Sequence, residues 1–409
     1  MFSIILKIFI TVDYEQIRTE GRGKTLRKVK IGIIGCGNIS RYGNGPGYME
    51  CKGAEVTAVC DSIAGRAKEC MSLWGARRFY TDYRELLRDD EVEAVDVCLP
   101  NHMHARVAVE TAEAGKHVAV QKPMALDVKE CDAMIRAARN ARVKLMAEEC
   151  EIFYPPYVKV KELVAEGRIG DPVMLQMALQ MASMPPKEYE KRRIEAPQEA
   201  EMNLAWRGDR MRYGGFLFDV VWHKYALAYH LFGPVGKVDA WVDNFERETP
   251  ATVMWKHETN EHGVMSVVHT PGMHANCEFL RYPLPATVEV IGSKGIVWAT
   301  RSEGQTIRVA PTVMYDGEYP GKTIYFDNVE AEYFAGFRNM TSHFVECVLK
   351  DETPTLTGED GKKILQFALA VYKSALEGRT VSPSSITEWS WKDIQNKPST
   401  SPEKLGIEQ

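Results

Sequence analysis

The chain has 409 residues and a formal net charge of −5, with 45% hydrophobic and 26% charged residues. This length favours two domains over one, and the composition is typical of a globular protein. The acidic balance argues against a nucleic-acid partner, because such proteins usually carry a basic excess. The nine cysteines are scattered, without a CxxC pair or metal-ligand cluster. We therefore expect no disulfide framework, no metal site and a cytoplasmic location.

The first ten residues, MFSIILKIFI, are apolar, but Lys7 interrupts them and they are too short to cross a bilayer. They lack a preceding basic segment and a following small-residue cleavage site, which argues against a secretion signal. Residues 1–27 are therefore interpreted as a disordered or wrongly started extension. No other stretch is long and apolar enough for a transmembrane helix, so we expect no membrane partner.

Between residues 28 and 150, short apolar runs alternate with helical stretches such as Arg106–Ala114 and Val128–Arg139. Buried β-branched runs separated by helices predict βαβ units around a parallel sheet. The predicted strands are Val29–Ile34, Val56–Cys60, Ala94–Leu99, His117–Val120 and Val143–Ala147.

After residue 150 the strands follow one another, which predicts an antiparallel or mixed sheet. We therefore assign residues 151–385 to a second α/β domain and residues 386–409 to a polar tail. The predicted helices are Pro156–Glu166, Phe216–Leu231, Phe334–Leu349 and Gly361–Ser374. The predicted strands are Val238–Val242, Gly263–His269, Thr287–Ile291 and Thr323–Phe326.

A glycine-rich turn follows the first strand, with Gly35, Gly37 and Ser40 at the spaced positions of a GxGxx[GA] motif. The first glycine permits a tight turn, the second leaves room for a pyrophosphate, and the small serine lets the next helix approach the sheet. The motif predicts that residues 28–150 form a dinucleotide-binding Rossmann domain, with Asn38 and Ile39 also at the cofactor. Three further glycines are interpreted as a flexible surface loop without a role: Gly43, Gly45 and Gly47.

The second strand ends in Asp61, a little over twenty residues past the glycine turn. An acid at this position accepts hydrogen bonds from both ribose hydroxyls of NAD and repels the additional phosphate of NADP. We therefore expect NAD as the cofactor in preference to NADP. Arg66, shortly after this strand, is also assigned to the cofactor site.

Several motifs, in order, together resemble the Gfo/Idh/MocA family, which includes glucose–fructose oxidoreductase and inositol dehydrogenase. The resemblance covers about residues 28–381. It implies a Rossmann domain, then an α/β domain with a large open mixed or antiparallel sheet that binds substrate and forms homodimers or homotetramers. It also implies hydride transfer to or from sugars and cyclitols. The motifs are Gly35–Ser40, Pro100–His104, Gly115–Val118, Gln121–Pro123, Gly214–Gly215, Asp219-x-x-x-His223 and His343–Asp360.

Lys122 resembles the lysine of the family's Glu-Lys-Pro motif, which lies between cofactor and substrate. A cation there stabilises the charge that develops on oxygen as hydride leaves carbon. Gln121, also placed at the cofactor, stands where the family usually has glutamate. Loss of that negative charge should lower the pKa of Lys122. This departure leaves open a more basic role for Lys122 or a different substrate.

Asp219 and His223 are four residues apart on a predicted helix and should therefore share one face. Histidine suits proton transfer because its pKa lies near neutrality. The resemblance implies that His223 is the general acid–base and that Asp219 orients the substrate or the histidine. Many relatives carry another aspartate where this chain has Ala226, so the substrate's hydroxyl pattern can differ.

The loop after the fourth strand contains Leu99, Pro100 and Asn101, which we assign to the cofactor site because ligands bind beyond the carboxyl ends of parallel strands. The resemblance implies that this loop lies near the nicotinamide ribose. His104 is assigned to the cofactor site, with a structural hydrogen bond at the start of the helix as the alternative.

Trp206 and Arg207 resemble a Trp-Arg pair near the cofactor or substrate in relatives, and Arg207 can hold an oxygen through its forked donors. The alternative is a packed tryptophan beside a solvated arginine. Glu149 is assigned to substrate hydroxyls, with a solvated loop as the alternative. Cys150 and Ile152 replace the asparagine and arginine that relatives often carry beside it.

These features predict an NAD(P)-dependent oxidoreductase that transfers a hydride between nicotinamide and a secondary alcohol of a sugar, glycoside or cyclitol. One alternative is NAD-assisted glycosidic cleavage without net redox change, for which Gln121 and the altered 149–152 segment leave room. The other is a non-catalytic NAD-sensing protein, which would need only the cofactor half.

Overall fold

A computed structural model describes residues 27–182, 214–243, 245, 248–270, 287–300, 312–317, 320–390 and 393–394. The structural statements below refer to these residues, so nearly all of the expected 1–27 extension and most of the polar tail lie outside them. Two sheets organise this part of the chain. None of its helices is both long and apolar enough to cross a membrane.

The first sheet has six parallel strands in the order β3-β2-β1-β4-β5-β6. Its central strands are almost wholly buried because helices cover both faces, which explains their continuous apolar runs. This is the strand order of a Rossmann fold, with the order reversing between β1 and β4. The strands are β1 (Val29–Ile34), β2 (Ala54–Cys60), β3 (Arg78–Tyr80), β4 (Ala94–Val97), β5 (His117–Val120) and β6 (Leu145–Ala147).

The intervening helices include a π-helical turn, Ser40–Asn44, that continues directly into the first α-helix. A short 3₁₀ turn, Cys150–Phe153, leads out of the sheet. The helices are α1 (Gly45–Glu50), α2 (Ala64–Trp74), α3 (Tyr83–Leu87), α4 (Asn101–Glu113), α5 (Val128–Ala141) and α6 (Pro155–Ala165).

The second sheet has eight strands in the order β14-β13-β12-β11-β7-β10-β9-β8. Only β7 and β10 pair in parallel, and all other neighbours are antiparallel, which confirms the expected large mixed sheet. The strands are β7 (Pro172–Ala182), β8 (Val235–Val242), β9 (Ala251–His257), β10 (His262–Thr270), β11 (Thr287–Gly292), β12 (Gly295–Thr300), β13 (Thr312–Asp316) and β14 (Lys322–Tyr325).

The predicted single helix Phe216–Leu231 is wrong, because the structure has two helices, α7 (Phe216–Asp219) and α8 (Trp222–Phe232). The break lies at Val221, whose N–H reaches back five residues to the carbonyl of Phe216 at 3.3 Å. The chain then continues into α8 with Val221 at ψ −9°. Asp219 and His223 therefore lie on two different helices.

Two long helices complete the fold, α9 (Phe334–Lys350) and α10 (Gly358–Glu377). Helix α10 packs against β8 and α5, and so connects the two sheets. Helix α9 returns to the first sheet, where Phe337 and Phe344 share a buried cluster with Val29 and Ile31.

The glycines after the cofactor motif are not a surface loop, contrary to expectation. A Cβ at Gly43 would press on the ring of Phe337, one at Gly45 would overlap Trp74, and one at Gly47 would overlap Thr341. The absence of side chains lets α1 pack directly on α9.

Candidate active site

A cleft of about 340 Å³ lies at the carboxyl ends of β1 and β4, where the strand order reverses. Ligands bind at such switch points because loops diverge there and helix N-termini point into the gap. Most of the residues proposed for the cofactor line this cleft: Gly35, Gly37, Asn38, Ile39, Asp61, Arg66, Leu99, Pro100, Asn101, Gln121 and Lys122.

The glycine turn has the space that a dinucleotide requires. Gly35 has a φ of +101°, and a Cβ there would overlap the carbonyl oxygen of Cys98. A Cβ at Gly37 would meet nothing within 4 Å. Only glycine readily occupies the first position, and the second leaves the backbone open towards the cleft. This arrangement fits a pyrophosphate.

Asp61 is held in place at the end of β2. Its two carboxylate oxygens accept hydrogen bonds from the backbone N–H groups of Cys36 and Ile63, each at 2.9 Å. The carboxylate therefore lines the cleft in a fixed orientation, as a group that accepts hydrogen bonds from ribose hydroxyls must.

His104 is fully buried on α4 and does not line the cleft. Its Nδ1 lies 2.8 Å from the carbonyl oxygen of Pro123, and its Nε2 lies 2.7 Å from that of Leu99. The structure thus favours the alternative of a structural hydrogen bond, which ties the Leu99 loop to the Lys122 loop.

Lys122 lies between the cofactor cleft and α7. Its Nζ donates to the main-chain oxygen of Asp219 at 2.8 Å and contacts the Asp219 carboxylate at 3.3 Å. Asn101 donates to the same carboxylate oxygen at 3.2 Å. Asp219 is 1% exposed, so its charge is compensated by these donors rather than by water. Lys122 and Asn101 are thus among the partners of Asp219.

The partner of His223 is Glu149. Nδ1 of His223 lies 2.6 Å from Oε1 of Glu149, whose side chain has no exposed surface. The expected role of Asp219 in orienting the histidine is therefore not what the geometry shows. A solvated loop at Glu149 is also wrong, since Cys150 and Ile152 beside it are buried.

Below the cleft lies a buried polar network that the sequence analysis missed. Nδ2 of Asn44 donates to Asp96 at 2.8 Å and to Glu148 at 2.9 Å, and Nε2 of Gln121 donates to Glu148 at 2.8 Å. Burial raises the pKa of Asp96 to about 6 and that of Glu148 well above its usual range. The sequence signal that could have revealed this network is Asp96, a charged residue inside the apolar run of β4.

This network explains the glutamine at the family's glutamate position. An amide at this position can donate to Glu148, whereas an ionised carboxylate cannot donate and would have to share a proton with Glu148. Trp206 and Arg207 lie outside the described residues, so their assignment stays a prediction.

Comparisons with known proteins agree with this architecture. The model of an oxidoreductase family with an NAD-binding Rossmann fold, GFO_IDH_MocA, matches residues 29–149. The model of that family's C-terminal alpha/beta domain matches residues 161–382. The two matches cover both sheets described above.

Relatives named as dehydrogenases align over most of the chain. A myo-inositol 2-dehydrogenase of Thermotoga maritima is 26% identical over 369 residues, covering 88% of this chain and 99% of the relative. A D-apiose dehydrogenase of Paraburkholderia graminis is 27% identical over 384 residues, covering 88% and 92%. The crystal structure of a probable dehydrogenase from Thermotoga maritima superposes with a TM-score of 0.68 at 25% identity, covering 88% of this chain and all of that one.

Proposed function

The chain belongs to the GFO_IDH_MocA family of NAD-binding oxidoreductases, and from this we propose that it oxidises or reduces a secondary alcohol of a sugar, glycoside or cyclitol. The observation that carries the proposal is the contact of Lys122, at the edge of the cofactor cleft, with Asp219, four residues before His223. The relatives named for myo-inositol and D-apiose support a polyhydroxylated substrate.

NAD, when bound, supplies the hydride acceptor or donor. Lys122 has three N–H donors, of which two are directed at Asp219, so one is left for the substrate oxygen. Its charge stabilises that oxygen as the C–H bond weakens. His223 takes the hydroxyl proton in oxidation and returns it in reduction. Asp219 holds Lys122 and Asn101 in position.

A homodimer or homotetramer is part of the proposal. Helices α6 and α10 pack against one face of the eight-stranded sheet. The strand registers place four exposed apolar side chains on the other face: Trp241 at 58%, Met254 at 39%, Tyr315 at 40% and Tyr325 at 63%. They form two pairs, one on β8 and β9 and one on β13 and β14, at opposite edges of the sheet. Exposed apolar side chains on this face support a contact surface there.

We further propose that residues 28–150 bind the cofactor and that residues 151–385 bind substrate and form the oligomer. A cytoplasmic location accords with the free thiols of the described cysteines.

The test is absorbance at the NADH band with NAD and a panel of polyols that includes myo-inositol and D-apiose. We expect turnover of at least one polyol and a loss in kcat of about 10²-fold or more in His223→Ala, because proton transfer contributes that much. His262→Ala, an exposed histidine on β10, is the matched control.

Full activity of His223→Ala would contradict the proposed role of this residue. Release of sugar from an aryl glycoside without NADH accumulation would instead favour NAD-assisted glycosidic cleavage.

A further inference from the structure

The buried carboxylate of Glu149 has no part in the steps above, although it makes a close contact with the proposed base. Glu149 follows β6 and precedes the 3₁₀ turn Cys150–Phe153. The N–H of Glu151 donates to its Oε1 at 2.9 Å, and the same oxygen lies 2.6 Å from Nδ1 of His223. This oxygen is therefore held by two partners.

A second ion pair fixes the helix that carries the histidine. Lys224, the next residue on α8, pairs with Glu151, and both side chains are 1% exposed. His223 and Lys224, which are consecutive on α8, thus contact Glu149 and Glu151 at the start of the 3₁₀ turn. Breaking a buried pair by removing one partner is costly, so this double contact sets the rotation of α8 against the turn.

The contact also determines where the proton of the imidazole lies. An ionised carboxylate only accepts hydrogen bonds. Nδ1 of His223 must therefore carry a proton and donate the hydrogen bond to Glu149. In the neutral ring, Nε2 is then the acceptor. No described residue hydrogen-bonds to Nε2, and the His223 side chain keeps 13% of its surface exposed.

We propose that Glu149 is a positioning residue that holds His223 in the Nδ1–H tautomer and leaves Nε2 as the base for the substrate hydroxyl. This rests on the proposed function. In oxidation the hydroxyl O–H bond of the substrate breaks and its proton goes to Nε2. The carbon that bears this hydroxyl gives up a hydride, for which NAD, when bound, is the acceptor. The Glu149 carboxylate keeps the Nδ1 proton and stabilises the imidazolium that forms.

The test uses Glu149→Gln, whose amide can present an N–H to Nδ1 and so favour the opposite tautomer. We expect kcat to fall about 10²-fold with little change in KM, because proton transfer rather than binding is impaired.

The decisive readout is nitrogen-15 NMR of histidine-labelled protein with NAD bound, with His223→Gln to assign the signals. We expect a protonated Nδ1 and a bare Nε2 in the natural protein, and a shift towards protonated Nε2 in Glu149→Gln. The matched control is Glu113→Gln, the same exchange at an exposed glutamate at the end of α4, which should leave the tautomer of His223 unchanged.

A protonated Nε2 in the natural protein, or an unchanged tautomer in Glu149→Gln, would overturn the proposal. The NMR measurement needs no substrate. Absence of polyol turnover would therefore count against the proposed function, whereas an unexpected tautomer would count against the positioning role of Glu149.

Discussion

Gln121 shows how one side chain depends on its buried neighbour. Its amide donates to Glu148, which also accepts from Asn44, and Asp96 lies on the other side of that asparagine. The sequence analysis predicted that this glutamine changes the charge near Lys122. It considered the effect on Lys122 and not the contact of Gln121 with Glu148. The structure adds that the glutamine suits a carboxyl group below it.

We expect Gln121→Glu to lower the free energy of unfolding at pH 7 by about 2 kcal/mol, because it places a carboxylate against the buried Glu148. The loss should shrink as pH falls, because a proton shared between the two carboxyl groups removes their repulsion. Urea unfolding at several pH values measures this. Combining the change with Glu148→Gln exchanges the two groups and should restore stability, and failure of this pair to recover would contradict the explanation.

At the scale of elements, local patterns predicted five of the six strands of the first sheet, because burial on both faces leaves near-continuous β-branched runs. They missed the short edge strand β3, which is only partly buried. Strand β7 was missed, since its segment PVMLQMALQMA is rich in residues that favour helices, and only pairing with β10 and β11 makes it a strand. Contacts such as Glu149 with His223, 74 residues apart, also have no local signature. The Gly43–Gly47 error has the same origin, since α9 lies about 300 residues further along the chain.

Two identical substitutions should therefore act in opposite directions. Gly47→Ala should lower the free energy of unfolding by about 1–3 kcal/mol, because the added methyl group overlaps Thr341 on α9. Gly65→Ala, exposed on α2 with nothing near the added Cβ, should raise it by about 0.5–1 kcal/mol through lower unfolded-state entropy. Thermal or urea unfolding compares them, and equal effects would exclude close packing of α1 on α9.

At the scale of the whole molecule, buried and half-buried histidines should govern stability in mild acid. Burial lowers the pKa of five of them, His230 to about 4: His104, His117, His230, His257 and His343. Each has a folded-state pKa below its unfolded value of about 6.5, so the unfolded chain binds more protons as pH falls below that value. Asp96 and Glu148 act in the opposite direction but are fewer.

We therefore expect the free energy of unfolding to fall by about 2 kcal/mol or more between pH 7 and pH 5. His230→Gln should reduce this slope, because the neutral ring beside the Lys161 ammonium at 2.9 Å is replaced by an amide that does not titrate. Unfolding curves across this range test the prediction, and a stability that rises on acidification would show that the two acids dominate.

The return of α9 to the first sheet has a consequence for how the molecule can be divided. Val29 and Ile31, near the start of the described chain, reach full burial in a cluster with Phe337, Met340 and Phe344. A fragment that stopped near Cys150 would contain every strand of the cofactor-binding sheet. It would lack α9, so the apolar residues that α9 covers would be exposed to solvent. We therefore expect NAD binding to require almost the entire chain. A truncation that removes α9 should weaken it, although α9 lies about 300 residues after the glycine turn.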